Sequence, residues 1–261
     1  MAFIPQPNNP IAWLTAALLI TLTTAFLRLL YILPSTNPTF PTKRLRTAHT
    51  RLLVVLGSGG HTAEMFLLLG RSLNPRLYTA RSYLVSAGDE FSAERAEEFE
   101  RGLWATSASA MAGHAGEEDE MRGKRYEIFT VPRARNIHQS LLTTPFSSLN
   151  CCLSCFHVLR GTANSNSTNN KIPSPPQHQY PDLILCNGPG TAVCVIFTSL
   201  LLKYFGVRGT KGKMRTIYVE SFARVRTLSL SGKILRWCCD RFLVQWKGLK
   251  GGGREYLGVL V

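Results

Sequence analysis

One junction near residue 57 restricts the fold of this chain more than any other feature. The run RLLVVLGS, residues 51–58, is short, apolar and ended by glycine, which is typical of a fully buried strand. The next segment, HTAEMFLLLG, residues 61–70, has the pattern of a helix. A buried strand that turns through glycines directly into a helix is the start of a β-α-β crossover, so the junction predicts an α/β fold.

Strand and helix signals continue to alternate along the chain. We predict five more strands, in residues 83–85, 126–132, 181–187, 214–220 and 241–246. Between them we predict helices over residues 89–101 and from Thr191 to about Phe205. The alternation predicts a Rossmann-like parallel sheet with helices on both faces, spanning residues 51–261. Two polar segments, near residues 105–120 and 161–179, interrupt the pattern and are expected to be mobile insertions.

The N-terminal part of the chain has a different character. Residues 11–33 carry one charge, Arg28, and are long enough to cross a bilayer. Residues 1–10 contain no Lys or Arg, whereas four basic residues follow by position 51. By the positive-inside tendency, we predict a short lumenal N-terminus (1–10), a transmembrane helix (11–33), a linker (34–50) and a cytosolic domain. The alternative is a helix that lies on the membrane or packs against the domain.

The charge of the chain favours an anionic partner. The net charge is +14, and eleven of the sixteen acidic residues fall between Asp89 and Glu127. The rest of the chain is therefore strongly basic, which suits phosphates, nucleic acid or an acidic membrane face. Nucleic acid is disfavoured because the basic residues neither form a basic helix nor alternate with aromatic residues, and because of the membrane segment.

The cysteine pattern points to reduced thiols. There are seven cysteines, an odd number, and several lie within apolar runs. A zinc site formed by Cys152-x-x-Cys155 and the adjacent pair Cys238–Cys239 has poor ligand spacing, so no metal is expected. No cofactor is expected either.

Two glycine turns predict where a ligand binds. The first is GSGGHT, residues 57–62, and the second is NGPGT, residues 187–191. Each follows a strand and opens a helix, so backbone N–H groups and the positive helix ends suit phosphate oxygens. Thr62 stands where the dinucleotide fingerprint needs Gly or Ala, and the lysine of a P-loop is absent from the sequence. The candidate phosphate-binding residues are Gly57, Ser58, Gly59, Gly60, Thr62, Asn187, Gly188, Gly190 and Thr191.

Four more polar residues belong to the same predicted edge of the sheet. His61 lies in the first turn, and Glu220 ends the predicted fifth strand. Because the carboxyl ends of parallel strands meet at one edge, these two become candidates for catalysis. Arg133 and Arg135 follow the predicted third strand and could neutralise a phosphate, although a simple surface pair fits the sequence equally well.

Several long motifs in order resemble one known family. They are GSGGHTAEM, VPRARNIHQS, PDLILCNGPGT, YVESFARVRTLSLSGKIL and FLVQW. Together they resemble the membrane-anchoring subunit of the eukaryotic two-chain UDP-N-acetylglucosamine transferase. That enzyme adds the second GlcNAc to dolichol-linked GlcNAc on the cytosolic face of the endoplasmic reticulum. The resemblance covers nearly all of residues 51–261, and the family is similar to the N-terminal half of MurG-type glycosyltransferases of the GT-B architecture.

The resemblance implies a division of labour between two chains. A GT-B enzyme works between two Rossmann-like domains, and the length of this chain accounts for one. The resemblance therefore implies a soluble partner carrying the UDP-GlcNAc site, and an acceptor, GlcNAc-diphosphodolichol, held by the glycine turns. It also implies that His61 or Glu220 positions the acceptor or acts as base, without deciding between them. The implied partner contact is the C-terminal end: Tyr256, Leu257, Gly258, Val259, Leu260 and Val261. The alternative is a membrane scaffold that contributes no site residues.

Overall fold

A seven-stranded, entirely parallel sheet forms the centre of the molecule. The computed structural model describes residues 10–36, 50–75, 77–110, 126–135, 139–140, 142–163, 180–188 and 190–260, with side chains omitted over 104–110. The strands are β1 Arg51–Val55, β2 Ala80–Ser86, β3 Tyr126–Val131, β4 Leu183–Asn187, β5 Arg215–Val219, β6 Arg241–Val244 and β7 Arg254–Tyr256. Their order across the sheet is β3-β2-β1-β4-β5-β6-β7.

The strand order creates one reversal point. Strands β2 and β3 extend the sheet from one side of β1, and β4 to β7 extend it from the other. In an open parallel sheet, the crevice outside the carboxyl ends of the strands at such a reversal is the expected ligand site. Here that point lies between β1 and β4, the two strands that the glycine turns follow.

Helices cover both faces of the sheet. They are α1 Pro10–Ile32, α2 Gly60–Ser72, α3 Glu90–Ala110, α4 Thr144–Leu159, α5 Thr191–Tyr204 and α6 Leu230–Leu235, with a 3-10 helix at Lys247–Leu249. Side chains alternate along β1, so Leu52 and Val54 join one apolar core with α2 and α3. Leu53 and Val55 join the other core with α4, α5 and α6. The predicted fold class, a parallel sheet with helices on both faces, is confirmed.

The structure differs from the sequence prediction in several elements. Helix α3 continues to Ala110, so residues 105–110, which we assigned to an insertion, are helical. Residues 111–125 and 164–179, which hold most of the two predicted insertions, lie outside the described residues. Helices α4 and α6, the 3-10 helix and strand β7 were not predicted, because α4 contains many Ser and Cys residues and the other three are short.

Helix α1 is largely exposed and mostly apolar, and its last residue, Ile32, packs against the core. It has 23 residues and is long and apolar enough to cross a membrane. At its C-terminal end it contacts α5. Arg28 Nε donates to the carbonyl oxygen of Tyr204 at 3.2 Å, and the hydroxyl of Tyr204 donates to the carbonyl of Ala25 at 3.2 Å. A cation at the last turn of α5 satisfies carbonyls that the helix leaves unpaired and is favoured by the helix dipole.

Candidate active site at the carboxyl edge of the sheet

The two glycine turns touch each other at the reversal point of the sheet. A Cβ atom built on Gly188 would lie 3.3 Å from Gly57 Cα and 3.2 Å from His61 Cγ. A Cβ on Gly57 would lie 2.6 Å from His61 Cβ and 3.3 Å from the carbonyl oxygen of Asn187. Gly188 also has φ +94°, which side chains rarely adopt. Glycine at both positions therefore lets the imidazole of His61 rest on the two strand ends.

The first turn presents bare backbone to solvent. Ser58, Gly59 and Gly60 are exposed, and among the described residues none accepts a hydrogen bond from their N–H groups. Gly59 has φ +58° and precedes α2 with no side-chain cap. The N-terminus of α2 thus offers free donors and the positive end of a helix dipole, which suits an anion.

The side chain of Thr62 stabilises this turn from the inside. Its side chain is fully buried, and its hydroxyl donates to the carbonyl oxygen of Gly57. The same hydroxyl shares a hydrogen bond with Ser92 Oγ at 2.6 Å. The side chain of Thr62 therefore fixes the turn, and contact with a ligand is left to the exposed backbone before it.

The second turn is contacted by residues at or after the ends of β2 and β3. Gly190, with φ +63°, precedes α5, and a Cβ there would meet Ala134 at 3.4 Å. The hydroxyl of Thr191 shares a hydrogen bond of 2.8 Å with Ser86 at the end of β2. The ends of β2, β3 and β4 are thereby drawn together around the N-terminus of α5. Pro189 lies outside the described residues.

A carboxylate that the sequence analysis did not single out lies beside His61. Glu64 Oε2 accepts a hydrogen bond from Asn187 Nδ2 at 2.9 Å, and Oε1 accepts one from Ser221 Oγ at 2.9 Å. His61 Nδ1 lies 4.0 Å from Oε2. Glu64 thus connects α2 with the ends of β4 and β5. The spacing His61-x-x-Glu64 at the start of a helix puts both residues on one face, which is the signal that could have identified Glu64.

Glu220 is brought to the same edge but faces the β5–α6 loop. Its side chain is 1% exposed, and its Oε2 accepts from the N–H and the hydroxyl of Ser229 at 3.2 and 3.1 Å. Its Oε1 accepts from the N–H of Ser221 at 3.3 Å. A Cβ on Gly232 would overlap this carboxylate. Glu220 therefore anchors the start of α6, and no described hydrogen bond joins it to His61.

The two predicted arginines bind backbone carbonyls. Arg133 donates to Ala87 and Gly88 in the loop after β2, at 2.9 and 3.3 Å. Arg135 donates to the carbonyl of Gln139 at 2.9 Å. Two exposed arginines that we did not single out, Arg224 and Arg226, lie in the loop that follows β5 at this edge. Cations are therefore available on both sides of the crevice.

The C-terminal end is divided between core and surface. Tyr256 belongs to β7 and packs partly against the core, and Leu260 packs against the core on the other face. The N–H of Leu260 donates to Gln245 Oε1 at 3.2 Å. Leu257 and Val259 are about half exposed, at 55% and 49%. Val261 lies outside the described residues.

The cysteines are unpaired and most of them are buried. Cys151, Cys152 and Cys194 form a thiol cluster between α4 and α5, with Cys152 Sγ donating to the carbonyl of Cys194 at 4.0 Å. Hydrogen bonding to Cys151 and burial raise the pKa of Cys194 to about 12. A thiol that stays protonated at neutral pH is a poor nucleophile and metal ligand, so the cluster serves packing.

Comparison with known proteins identifies the family. The family described as oligosaccharide biosynthesis protein Alg14-like matches residues 52–260. Proteins named UDP-N-acetylglucosamine transferase subunit alg14 are 42% identical in Aspergillus fumigatus, over 76% of this chain and 100% of the relative, and 39% identical in Schizosaccharomyces pombe, over 80% and 82%. The Homo sapiens protein of that name is 36% identical, over 76% of both chains.

A solved structure, MurG from Acinetobacter baumannii, is similar with a TM-score of 0.45 and 10% identity, over 79% of this chain and 45% of that chain. The family assignment rests on the sequence matches. Because one family matches residues 52–260, and relatives at 36–42% identity cover about three quarters or more of the chain, this chain belongs to the Alg14 family of oligosaccharide biosynthesis proteins.

Proposed function

We propose that this chain is the membrane-anchored subunit of a UDP-GlcNAc transferase, which recruits a soluble partner to the cytosolic face of the endoplasmic reticulum. The pair adds the second GlcNAc to GlcNAc-diphosphodolichol, early in N-linked glycosylation. The relatives are named as transferase subunits, and α1 has the length and composition of a membrane anchor. Because the relatives are named as subunits, we infer a second chain, and we assign the UDP-GlcNAc site to it.

The observation that carries the proposal is the geometry of the crevice. Two glycine turns meet at the reversal point of the sheet, and the exposed N–H groups of Ser58, Gly59 and Gly60 lie beside the imidazole of His61. This arrangement suits a diphosphate bound to backbone, with a reacting hydroxyl close to a base. It suits a free nucleotide less well, because the dinucleotide pattern and the P-loop lysine are missing from the sequence.

The reaction we assign is an inverting displacement. The 4-hydroxyl of the acceptor GlcNAc attacks C1 of the donor sugar, the bond from C1 to the UDP oxygen breaks, and a base takes the hydroxyl proton. A positioned base contributes about 10²–10⁴ in rate. We assign this role to His61 and not to Glu220, because the imidazole lies at the crevice whereas the Glu220 carboxylate is buried and occupied by Ser229 and Ser221.

A second apolar surface supports attachment to a membrane. Large apolar side chains, 40 to 86% exposed, lie on α4 and α5 or within two residues of their ends: Leu142, Phe146, Leu149, Leu153, Phe197, Leu201 and Phe205. We call these residues the α4–α5 face. The anchor lies next to the C-terminal end of α5, because α1 contacts the last turn of α5 through Arg28. We propose that this face lies on the lipid surface, which places the crevice at the N-terminal ends of α4 and α5 close to a lipid-linked acceptor.

The test is a two-substrate kinetic analysis of the chain assembled with its co-purified partner. Gly59→Val puts a side chain where the diphosphate approaches, and it should act mainly through the acceptor KM. His61→Ala should lower kcat more than it changes KM. Direct UDP-GlcNAc binding should change by less than about threefold, roughly 0.7 kcal/mol, in both variants.

Two outcomes would contradict the proposal. A selective loss of UDP-GlcNAc affinity with intact acceptor kinetics would indicate that the donor, and not the acceptor, binds at this turn. Full activity of His61→Ala, with the partner still bound, would favour the scaffold that contributes no site residues.

A further inference from the structure

Among the residues that the structure describes, two buried polar atoms beside Glu64 have no hydrogen-bond partner. His61 Nδ1 and Asn187 Oδ1 are both buried, and among the described residues neither makes a hydrogen bond. An unsatisfied buried polar atom is unfavourable, so such atoms are uncommon in folded proteins without a reason. Both belong to residues next to the same carboxylate oxygen, Glu64 Oε2, which is 2.9 Å from Asn187 Nδ2 and 4.0 Å from His61 Nδ1.

Glu64 itself is held firmly on the other sides. Ser221 Oγ donates to Oε1 and Asn187 Nδ2 donates to Oε2, so both oxygens are fixed relative to the ends of β4 and β5. The imidazole is the freer group of the pair, since it rests on the glycines and its side chain remains 29% exposed.

From this geometry we propose that Glu64 is a positioning residue for His61. It holds the proton of the neutral imidazole on Nδ1, which leaves Nε2 unprotonated and able to accept the proton of the acceptor hydroxyl. The tautomer of a histidine is set by the hydrogen bond that its other nitrogen makes. A small rotation of the ring closes the 4.0 Å gap and satisfies the buried Nδ1. The inference rests on the proposed function only for the identity of the hydroxyl.

The first measurement does not depend on activity. The full chain, labelled with ¹⁵N-histidine and purified in detergent, is observed by NMR, and the His61 signals are assigned by comparison with His61→Ala. We expect the Nδ1–H tautomer in the natural chain and a larger share of the Nε2–H tautomer in Glu64→Gln. Gln is isosteric, and its amide can keep the hydrogen bonds with Asn187 and Ser221, so the fold is kept. A neutral amide oxygen is a weaker acceptor for Nδ1–H than a carboxylate oxygen, so the preference for the Nδ1–H tautomer falls.

The matched control is Glu98→Gln. Glu98 is exposed on α3 and is paired with Arg95 at the same i,i+3 spacing as His61 and Glu64. The substitution Glu98→Gln removes the same charge at a position away from the crevice. Both the His61 tautomer and turnover should therefore be unchanged. An Nε2–H tautomer in the natural chain, or identical tautomer populations in the natural chain and in Glu64→Gln, would overturn the proposal.

The second measurement is a double-mutant cycle in the assembled transferase. Glu64→Gln should lower kcat about 10²-fold, at the lower end of what a base contributes. The acceptor KM should change by less than about threefold if Glu64 acts through the base. In the His61→Ala background the same substitution should have no further effect, because Glu64 acts through the imidazole.

Additive losses in that cycle would show a merely structural role and would overturn the proposal. If the natural complex transfers no GlcNAc, the proposed function fails, and the NMR result alone decides the role of Glu64.

Discussion

Gly57 shows how one missing side chain positions a functional group. The Cα of this residue packs against the second turn, and His61 folds back over it. Any Cβ at this position competes with the imidazole for the same space. The placement of His61 is therefore decided by the glycines beneath it as much as by the histidine itself.

We predict that Gly57→Ala lowers kcat of the assembled transferase by at least about tenfold, because a Cβ 2.6 Å from His61 Cβ must push the imidazole away and a lost base is worth about 10²–10⁴. Gly70→Ala is the matched control, since Gly70 lies farther along α2 and a Cβ there meets nothing within 4 Å. Steady-state kinetics of both variants, with partner binding checked, test this. Equal activity of Gly57→Ala and Gly70→Ala would show that the close packing has no role in turnover.

Glu127 on β3 makes stability depend on pH. Burial raises the pKa of its carboxyl above the usual 4.5, with Arg51 opposing the shift. The folded chain thus holds this proton more tightly than the unfolded chain, and the associated stability is lost as the pH rises through the raised pKa. We predict that Glu127→Gln has the higher Tm at pH 7 and that the difference disappears below about pH 4.5. Glu98→Gln is the exposed control, and a constant difference across the pH range would contradict the prediction.

At the scale of elements, α4 and α5 combine a packed inner surface with an apolar outer one. Cys151 and Cys155 face the core, and Thr198 Oγ1 of α5 donates to the carbonyl of Cys152 at 3.4 Å. The outer surface carries the α4–α5 face. Large apolar side chains exposed on two packed helices are typical of an interaction site.

We predict that a chain lacking residues 1–24, which keeps the α1 contact with α5, still floats with anionic lipid vesicles. Phe146→Glu combined with Leu149→Glu should reduce this binding at least about tenfold, because burying each side chain is worth roughly 1.5–3 kcal/mol. Leu67→Glu is the control, since Leu67 is similarly exposed but lies on α2, across the sheet. Equal flotation of both variants would show that this face does not meet lipid.

The segment after β7 places one side chain in the core and two at the surface. Leu260 packs on the core, whereas Leu257 and Val259 remain half exposed. We predict that Leu260→Asp lowers Tm, and that Leu257→Asp with Val259→Asp leaves Tm unchanged but weakens capture of the partner. Thermal unfolding and pull-down from detergent extract measure the two effects. Normal capture by the double variant would mean that the partner binds elsewhere.

For the whole molecule, the turn at Ser58, Gly59 and Gly60 is left exposed by the described residues. Transfer to a sugar hydroxyl instead of to water requires a closed site, and we assign the closing wall to the proposed partner with the UDP-GlcNAc site.

We predict that the purified chain alone transfers no GlcNAc from UDP-GlcNAc to a dolichyl-diphosphate-linked acceptor, and that adding the partner restores transfer. Radiolabelled product formation, with and without partner, measures this. Robust turnover by this chain alone would contradict the proposal of a two-chain enzyme.

The sequence by itself determined the class of fold and the position of the crevice. Buried strands, glycine turns and helix patterns are local signals, and the rule that parallel strands end at one edge brings His61 and the two turns together without any coordinates. The apolar length of α1 is equally local. The parallel fold and the apolar N-terminal helix are confirmed by the structure, whereas the roles assigned to His61, Glu220 and the turn residues remain predictions.

Only the tertiary structure decided which side chains share the crevice. Glu64 meets Asn187 and Ser221 across 123 and 157 residues of chain, a proximity that no periodicity encodes. From the sequence, Glu220 and His61 were equal candidates for catalysis. The direction of the Glu220 side chain, however, depends on the packing of α6 and Gly232 against its carboxylate. Strand order, side-chain direction and burial arise from long-range packing, so the partners of a polar residue are fixed only when the chain is folded.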